Sequence, residues 1–278
     1  GVANAELEAD RFAAREPAQA LDEMHHLDRC RKRAVARRAD AIHAHRDAAR
    51  RRDLGRDLGA GQHAAVAGLG ALAQLDLDHL HLHLAGRGYA LRRQNALALQ
   101  GWRTIAAKLG ADAEQVAPGL ALMIADEIRF LGAHWPAALP AGVIHADLFP
   151  NNVFFLGDRL SGLIDFYFAC DDFLAYDLAV CLVAWCFETD HAFNVTKARA
   201  LLRAYRRARP LEADEIAALP ILARGAALRF LLTRAHDWLH TDATAYVRRL
   251  EPAEYVRKLG FFQRIERANE MGLDVGPP

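Results

Sequence analysis

All but one of the aromatic residues in this chain of 278, Phe12 being the exception, lie beyond residue 88. Aromatic side chains supply much of the apolar area that a globular core buries. The capacity to build a core therefore sits in residues 89–278. The first 80 residues hold only Val2, Val35, Ile42 and Val66 as Val or Ile, amid Ala, Arg, Asp and His. With strand formers so scarce, that region predicts helix or irregular chain rather than sheet. Residues 29–58 fit a charged helix with a thin apolar stripe, and residues 68–85 begin apolar and then alternate with period two. The expected organisation is an atypical Ala/Arg/His-rich region over 1–81 and a globular region over 82–278.

Composition narrows the function classes. Lys+Arg and Asp+Glu both number 35, so net charge gives no argument for a nucleic-acid or anionic-membrane partner. The basic run Arg29–Arg38 is followed by Asp40, Asp47, Asp53 and Asp57, without aromatics to stack on bases, and reads as a solvated helix. The longest fully apolar run is Leu178–Phe187, well short of the roughly 20 residues that a membrane span needs. The first residues lack the apolar segment of a secretory leader. Cys30, Cys170, Cys181 and Cys186 form no C-x-x-C pair, against zinc-ribbon and thioredoxin chemistry. Reduced thiols in a cytoplasmic protein are the expectation. Ser161 is the only serine and lacks a G-x-S-x-G setting. His79, His81 and His83 alternate with Leu, but a carboxylate to orient them and a fourth ligand are not identifiable, and no metal role is assigned. Small-molecule partners are expected, and the oligomeric state is left open.

The patterns Trp102–Leu109, Gly119–Leu131, Lys197–Arg209, Ala213–Arg234 and Pro252–Glu270 predict helices. YDLAVCLVAWCFE (176–188) is apolar all round and predicts a buried helix with Asp177 as its N-cap. Cys181 and Cys186 within it read as small hydrophobes. VIHADL (143–148) predicts a short strand running into a loop. VFFLG (153–157) and LSGLIDF (160–166) predict two strands around a tight turn.

The segment 142–179 carries the chemistry. His145-x-Asp147 is followed by Asn152 and, after the hairpin, by Asp165-Phe166. H-x-D-x-x-x-x-N, a hairpin and D-F is the spacing of kinase-type phosphotransferases. A hairpin centred between Asp158 and Arg159 sets Asn152 opposite Asp165, with Cβ atoms about 4.5–5.5 Å apart. An amide oxygen and a carboxylate then converge, a donor set that suits Mg²⁺. Asp147 is placed to orient a substrate hydroxyl and accept its proton. His145 is expected to brace the loop rather than react. Asp177 is expected to brace it too, with substrate contact as the alternative. The plainer alternative for the whole segment is an Asx-rich turn beside a surface carboxylate.

VIHADLFPNNVFFLGDRLSGLIDFYFAC, with AYDLAVCLVAWCFE behind it, closely resembles the bacterial homoserine kinases of the choline-kinase/aminoglycoside-phosphotransferase-like superfamily. LHLAGRGYALRRQNALALQGW (82–102) and RGAALRFLLTRAHDWLH (224–240) share the resemblance, and the L-H-x-A words place His83 at a helix end. The resemblance implies an α+β, protein-kinase-like fold whose mainly helical C-terminal lobe carries the catalytic hairpin. It implies Asp147 as the catalytic aspartate, Asn152 and Asp165 as magnesium holders, and ATP and L-homoserine as substrates giving O-phosphohomoserine, a step toward threonine. A related kinase with an amino-alcohol or aminoglycoside-like acceptor is the neighbouring reading, and a catalytically silent binding protein is a third. A substrate amino acid needs partners for its carboxylate, with Arg229 and Arg234 as candidates, and for its ammonium group, with Asp171, Asp172 and Asp237 as candidates.

The family's N-terminal lobe is a β-sheet with a nucleotide loop and an ATP-contacting lysine, which residues 1–81 do not match. Lys32 is the only lysine there, and Gly59-Ala60-Gly61 and Gly68-Leu69-Gly70 lack flanking strand patterns. No residue is assigned to the ATP phosphate clamp. The chain's bias, 31 Arg against 4 Lys with abundant Ala, is that of GC-rich coding. A frame-shifted reading of the missing lobe, returning to frame near Leu82, accounts for the mismatch.

Overall fold

The structure, a computed structural model, describes residues 82–89, 92–156, 159–241 and 250–273. The expectations for 1–81, including Lys32, both G-x-G fragments, His79 and His81, lie outside the described residues, as does the hairpin tip at 157–158. All described residues except Thr241 belong to one unit, Val66–His240 with Leu250–Pro278.

After a helical end at 82–85, the order is α1 (Leu99–Leu109), α2 (Leu120–His134), β1 (Ala141–Ile144), β2 (Val153–Leu156), β3 (Arg159–Leu163) and β4 (Cys170–Phe173). Then come α3 (Leu174–Trp185), α4 (Val195–Ala208), α5 (Ala213–His240) and α6 (Ala253–Phe262). The predicted helices are found with shifted ends. The segment expected as one helix over 252–270 stops at Phe262 and resumes as a 3₁₀ turn at Ala268–Met271.

The core forms where apolar stripes converge. α3 is apolar on every side, and ten of its 12 residues are buried. Asp177 is not its N-cap: the helix starts at Leu174, so Asp177 lies inside the first turn. α5 packs against α3, α1 and α6. It passes Trp102 and Trp135, themselves edge to face at 5.0 Å, at Gly225. A Cβ there would lie 2.8 Å from the Trp102 ring, so glycine is what admits both indoles. Asn194 caps α4, accepting the Lys197 N–H at 2.9 Å.

α5 corrects the membrane arithmetic based on apolar runs. Among the described residues it alone is long and apolar enough to cross a bilayer. Of its most apolar window, 67% is buried inside the fold, as a central core helix requires. Arg224 and Arg229 interrupt its apolar run, and both have partners. Arg224 makes paired bonds to the buried Glu127, Nη2 reaching Oε2 at 2.7 Å, and Gln263 donates to the same oxygen at 2.9 Å. That cluster ties α2 and α5 to the segment just after α6.

Two antiparallel ribbons lie beside the helices. β2 pairs with β3, as expected, and β1 pairs with β4, a strand the sequence reading did not find. The β2–β3 register differs from the symmetric one. Val153 faces Leu163 and Phe154 faces Gly162, and a shift after Phe154 sets Phe155 against Leu160. Next to the turn Leu156 faces Arg159, two residues short of its symmetric partner, and the bulge brings the open end back to within one. Ile164 N–H donates to the Asn152 carbonyl at 3.0 Å, so Ile164, not Asp165, stands across from Asn152.

Candidate active site

β1 ends at Ile144, and the next five residues make a loop whose polar backbone groups are met largely by side chains. Asp177, fully buried, accepts from His145 N–H at 2.8 Å and from Ala146 N–H at 2.7 Å. Ala146 is left-handed, with φ 62°, which turns its N–H down to Asp177 and its carbonyl toward Arg229 Nη1. A non-glycine residue there holds about 1 kcal/mol of strain. Asp147 N–H donates to His145 Nδ1 at 3.3 Å. The Asp147 carbonyl accepts from Asn152 Nδ2 at 2.7 Å, and the Leu148 carbonyl accepts from Trp185 Nε1 at 2.8 Å.

His145 has no exposed surface, and its Nε2 lies 3.0 Å from the Ile164 carbonyl. Because Nδ1 accepts from Asp147 N–H, Nε2 carries the proton and donates to Ile164. His145 thus fastens the loop to the end of β3. His83 supports Asp177 from the far side: Nε2 donates to it at 3.2 Å, and Nδ1 lies 3.0 Å from the Tyr205 hydroxyl. Both ring nitrogens of His83 are therefore engaged by protein groups.

Asp147 is served differently. Its side chain keeps 20% of its surface exposed, and its carboxylate has only long contacts: Arg229 Nη2 at 3.4 Å and Asn152 Nδ2 at 3.3 Å. Burial raises its pKa. The Arg229 guanidinium pulls it back most, while the Asp165 carboxylate pushes it further up. Asp165 itself is not paired across from Asn152. It lies in the left-handed region (φ 64°) as β3 gives way to a 3₁₀ turn at Phe166–Phe168.

Asn152 turns its Nδ2 toward Asp147, which leaves Oδ1 as the acceptor end of its amide. An amide oxygen together with the Asp165 carboxylate is a hard oxygen donor set that fits a divalent cation such as Mg²⁺. Among the described residues, no cluster of three or more His, Cys, Asp or Glu forms a metal cage, so a cation here would need water or phosphate oxygens as well.

The substrate candidates separate. The Asp171 carboxylate is taken up by Arg92 Nη1 at 2.6 Å and Arg93 N–H at 2.9 Å. That of Asp172 is taken up by Asn95 Nδ2 at 2.7 Å and Phe173 N–H at 2.7 Å. Both fasten the 92–95 segment to β4. Arg229 is buried on the 145–149 loop. Arg234 stands beside Tyr255, and Asp237 is half-exposed near His236. Sequence reasoning missed the grip of Arg229 on the loop, together with Trp185, Tyr205 and the role of His83. A charged residue inside the apolar word AALRFLL is a signal that a buried partner must exist.

The family model for the phosphotransferase enzyme family, APH, matches residues 4–211. The chain belongs to this phosphotransferase family. Its similarity to curated proteins runs deeper. The homoserine kinase of Azorhizobium caulinodans is 60% identical over 200 residues, 72% of this chain and 62% of that protein. That of Nitrobacter winogradskyi is 61% identical over 197 residues, 71% and 60% of the two chains. That of Rhizobium etli is 59% identical over 194 residues, 70% and 60%. The phosphotransferase chain spans about three fifths of the length of these relatives. Among solved structures, a Plasmodium vivax ethanolamine kinase aligns with a TM-score of 0.51 at 14% identity, covering 75% of this chain and 63% of that one. An amicoumacin kinase aligns at 0.50 and 14%, covering 78% and 63%. These two likenesses establish the kinase-like fold.

Proposed function

We propose that this phosphotransferase is an ATP-dependent kinase that phosphorylates the hydroxyl of L-homoserine, with residues 82–278 as its catalytic lobe. What carries the reading is a carboxylate at Asp147 left open on a rigid loop, in a chain about 60% identical to proteins named homoserine kinase. In this reading the acceptor hydroxyl donates its hydrogen bond to Asp147. As the hydroxyl oxygen forms its bond to the γ-phosphorus, the bond to the β,γ-bridging oxygen breaks, ADP leaves and Asp147 takes the proton. Arg229 holds the Asp147 carboxylate in its rotamer, and Asp177 with His145 fixes the backbone beneath it. Asn152 Oδ1 and the Asp165 carboxylate are the groups that would hold Mg²⁺, which when bound neutralises charge on the nucleotide phosphates.

Residues 1–81 stand where the family carries its nucleotide lobe, and we propose the frame-shifted reading for them. Sequencing the gene tests this: if the other frames of that stretch encode no β-rich lobe, the idea is wrong. Reduced cysteines and small-molecule substrates fit a cytoplasmic enzyme.

The test of function is magnesium-dependent ADP release by the full chain with L-homoserine, with choline and with no acceptor. Homoserine-dependent turnover that Asp147→Asn abolishes supports the reading. Turnover with choline alone moves the chain to a related amino-alcohol kinase. No turnover, with no nucleotide binding by calorimetry, makes it a silent binding protein.

A further inference from the structure

The homoserine reading leaves open what recognises the acceptor's carboxylate, and the following inference rests on that reading. A carboxylate entering a partly dry site needs a guanidinium or ammonium that is not already committed. Two arginines of α5 bear on the 145–149 loop, Arg229 directly and Arg234 through Tyr255, Phe230 and Phe149. Arg229 is only 2% exposed and already serves the loop, with Nη1 on the Ala146 carbonyl and Nη2 on Asp147. Moving it to a substrate would release the residue it positions.

Arg234 is placed otherwise. Among the described residues, no carboxylate lies within 4.0 Å of its guanidinium. It is half-buried, and its guanidinium carbon stands 5.7 Å from the centroid of the buried Tyr255 ring. A flanking aromatic ring steadies a guanidinium without neutralising it. Phe230, one turn earlier on α5, links this position to the catalytic loop. Its ring meets Phe149, two residues past Asp147, edge-on at 4.6 Å, and lies 5.7 Å from Tyr255.

Arg229 and Arg234, five apart, differ by about 7.5 Å along the axis of α5 and by about 140° around it, whereas Phe230 and Arg234, four apart, share a face. Homoserine measures about 5 Å from hydroxyl to carboxylate when extended. With a hydrogen bond at each end it bridges about 10 Å, within reach of a flexible arginine. We propose that Arg234 binds the carboxylate of the amino-acid acceptor, while Arg229 remains the positioning residue for Asp147.

Calorimetric titration of the full chain tests this without requiring turnover. The ligands are L-homoserine and 3-aminopropan-1-ol, which keeps the hydroxyl and ammonium but lacks the carboxylate. The wild-type chain should bind homoserine at least about tenfold more tightly. Arg234→Gln should bring the ratio close to one by weakening homoserine alone. Arg234→Lys should weaken homoserine by a smaller factor, again leaving the amino alcohol unchanged. A preserved ratio in Arg234→Gln, or equal weakening of both ligands, overturns the assignment. If Arg234→Gln does not fold, equal weakening of both ligands by Arg234→Lys overturns it, and selective weakening supports it. A wild-type chain that shows no preference for homoserine sinks the homoserine reading and this inference together. A preference that survives in both variants sinks Arg234 alone.

Discussion

Asp147 and Asp177 serve the same loop from opposite sides. Asp177, on the floor, has no exposed surface and collects the His145 N–H, the Ala146 N–H and the His83 ring within 3.2 Å. Asp147, on the open side, keeps a fifth of its surface and no carboxylate contact shorter than 3.3 Å. A carboxylate whose lone pairs are filled by protein donors anchors the loop. One whose partners stand off keeps room for an incoming hydroxyl. The fold thus separates holding from reacting by how completely each acid is satisfied, not by residue type.

Substitutions should separate the two sides. Asp177→Ala strands two buried backbone N–H groups and a histidine, and should destabilise the protein by about 3–5 kcal/mol in urea unfolding. Asp147→Asn should leave the unfolding midpoint nearly unchanged while lowering turnover by about 100- to 10,000-fold. If Asp177→Ala is as stable as wild type, or Asp147→Asn retains its rate, the comparison collapses.

His83 sharpens it, because among the described residues it bonds Asp177 and Tyr205 and not Asp147. His83→Ala should cost about 1–3 kcal/mol through the lost bonds to Asp177 and Tyr205. In protein that is still folded, kcat should fall less than for Asp147→Asn, with the KM for ATP unmoved. A variant that loses ATP affinity instead would place His83 outside this support.

Local chemistry made part of this arrangement legible in the sequence. α3 was readable because uninterrupted apolarity over three turns leaves only burial, and the hairpin because two apolar runs flank a polar turn. The H-x-D-x-x-x-x-N spacing located the loop, since Asp147 and Asn152 meet within it. The register at Asn152 was not readable, because alternation does not fix where the turn is centred and a bulge, which here recovers one of the two residues lost, leaves no mark on it. β4 was missed because CDDF carries two aspartates, which strands disfavour, and its side-chain bonds come from residues about 80 positions away in sequence. The contact of Arg229 with the loop was not readable for the same reason: 82 residues separate it from Asp147, and no periodicity encodes a contact of that span.

Asp172 gives the finest test, because it falls between the two acids. It is half-buried and accepts two bonds at 2.7 Å, yet burial outweighs them and its pKa is raised above 3.8. A raised carboxylate binds its proton more tightly in the folded chain than in the unfolded one. As pH climbs from the unfolded value through the folded one, the unfolded state ionises first, so this group's contribution to stability falls across that window. Asp172→Asn should flatten that part of the pH–stability curve while retaining an acceptor for the Asn95 amide. Chemical denaturation at stepped pH measures the slope. A slope that becomes more negative in the variant would mean that the two hydrogen bonds, not burial, set the ionisation of Asp172, and would move it to the side of Asp177.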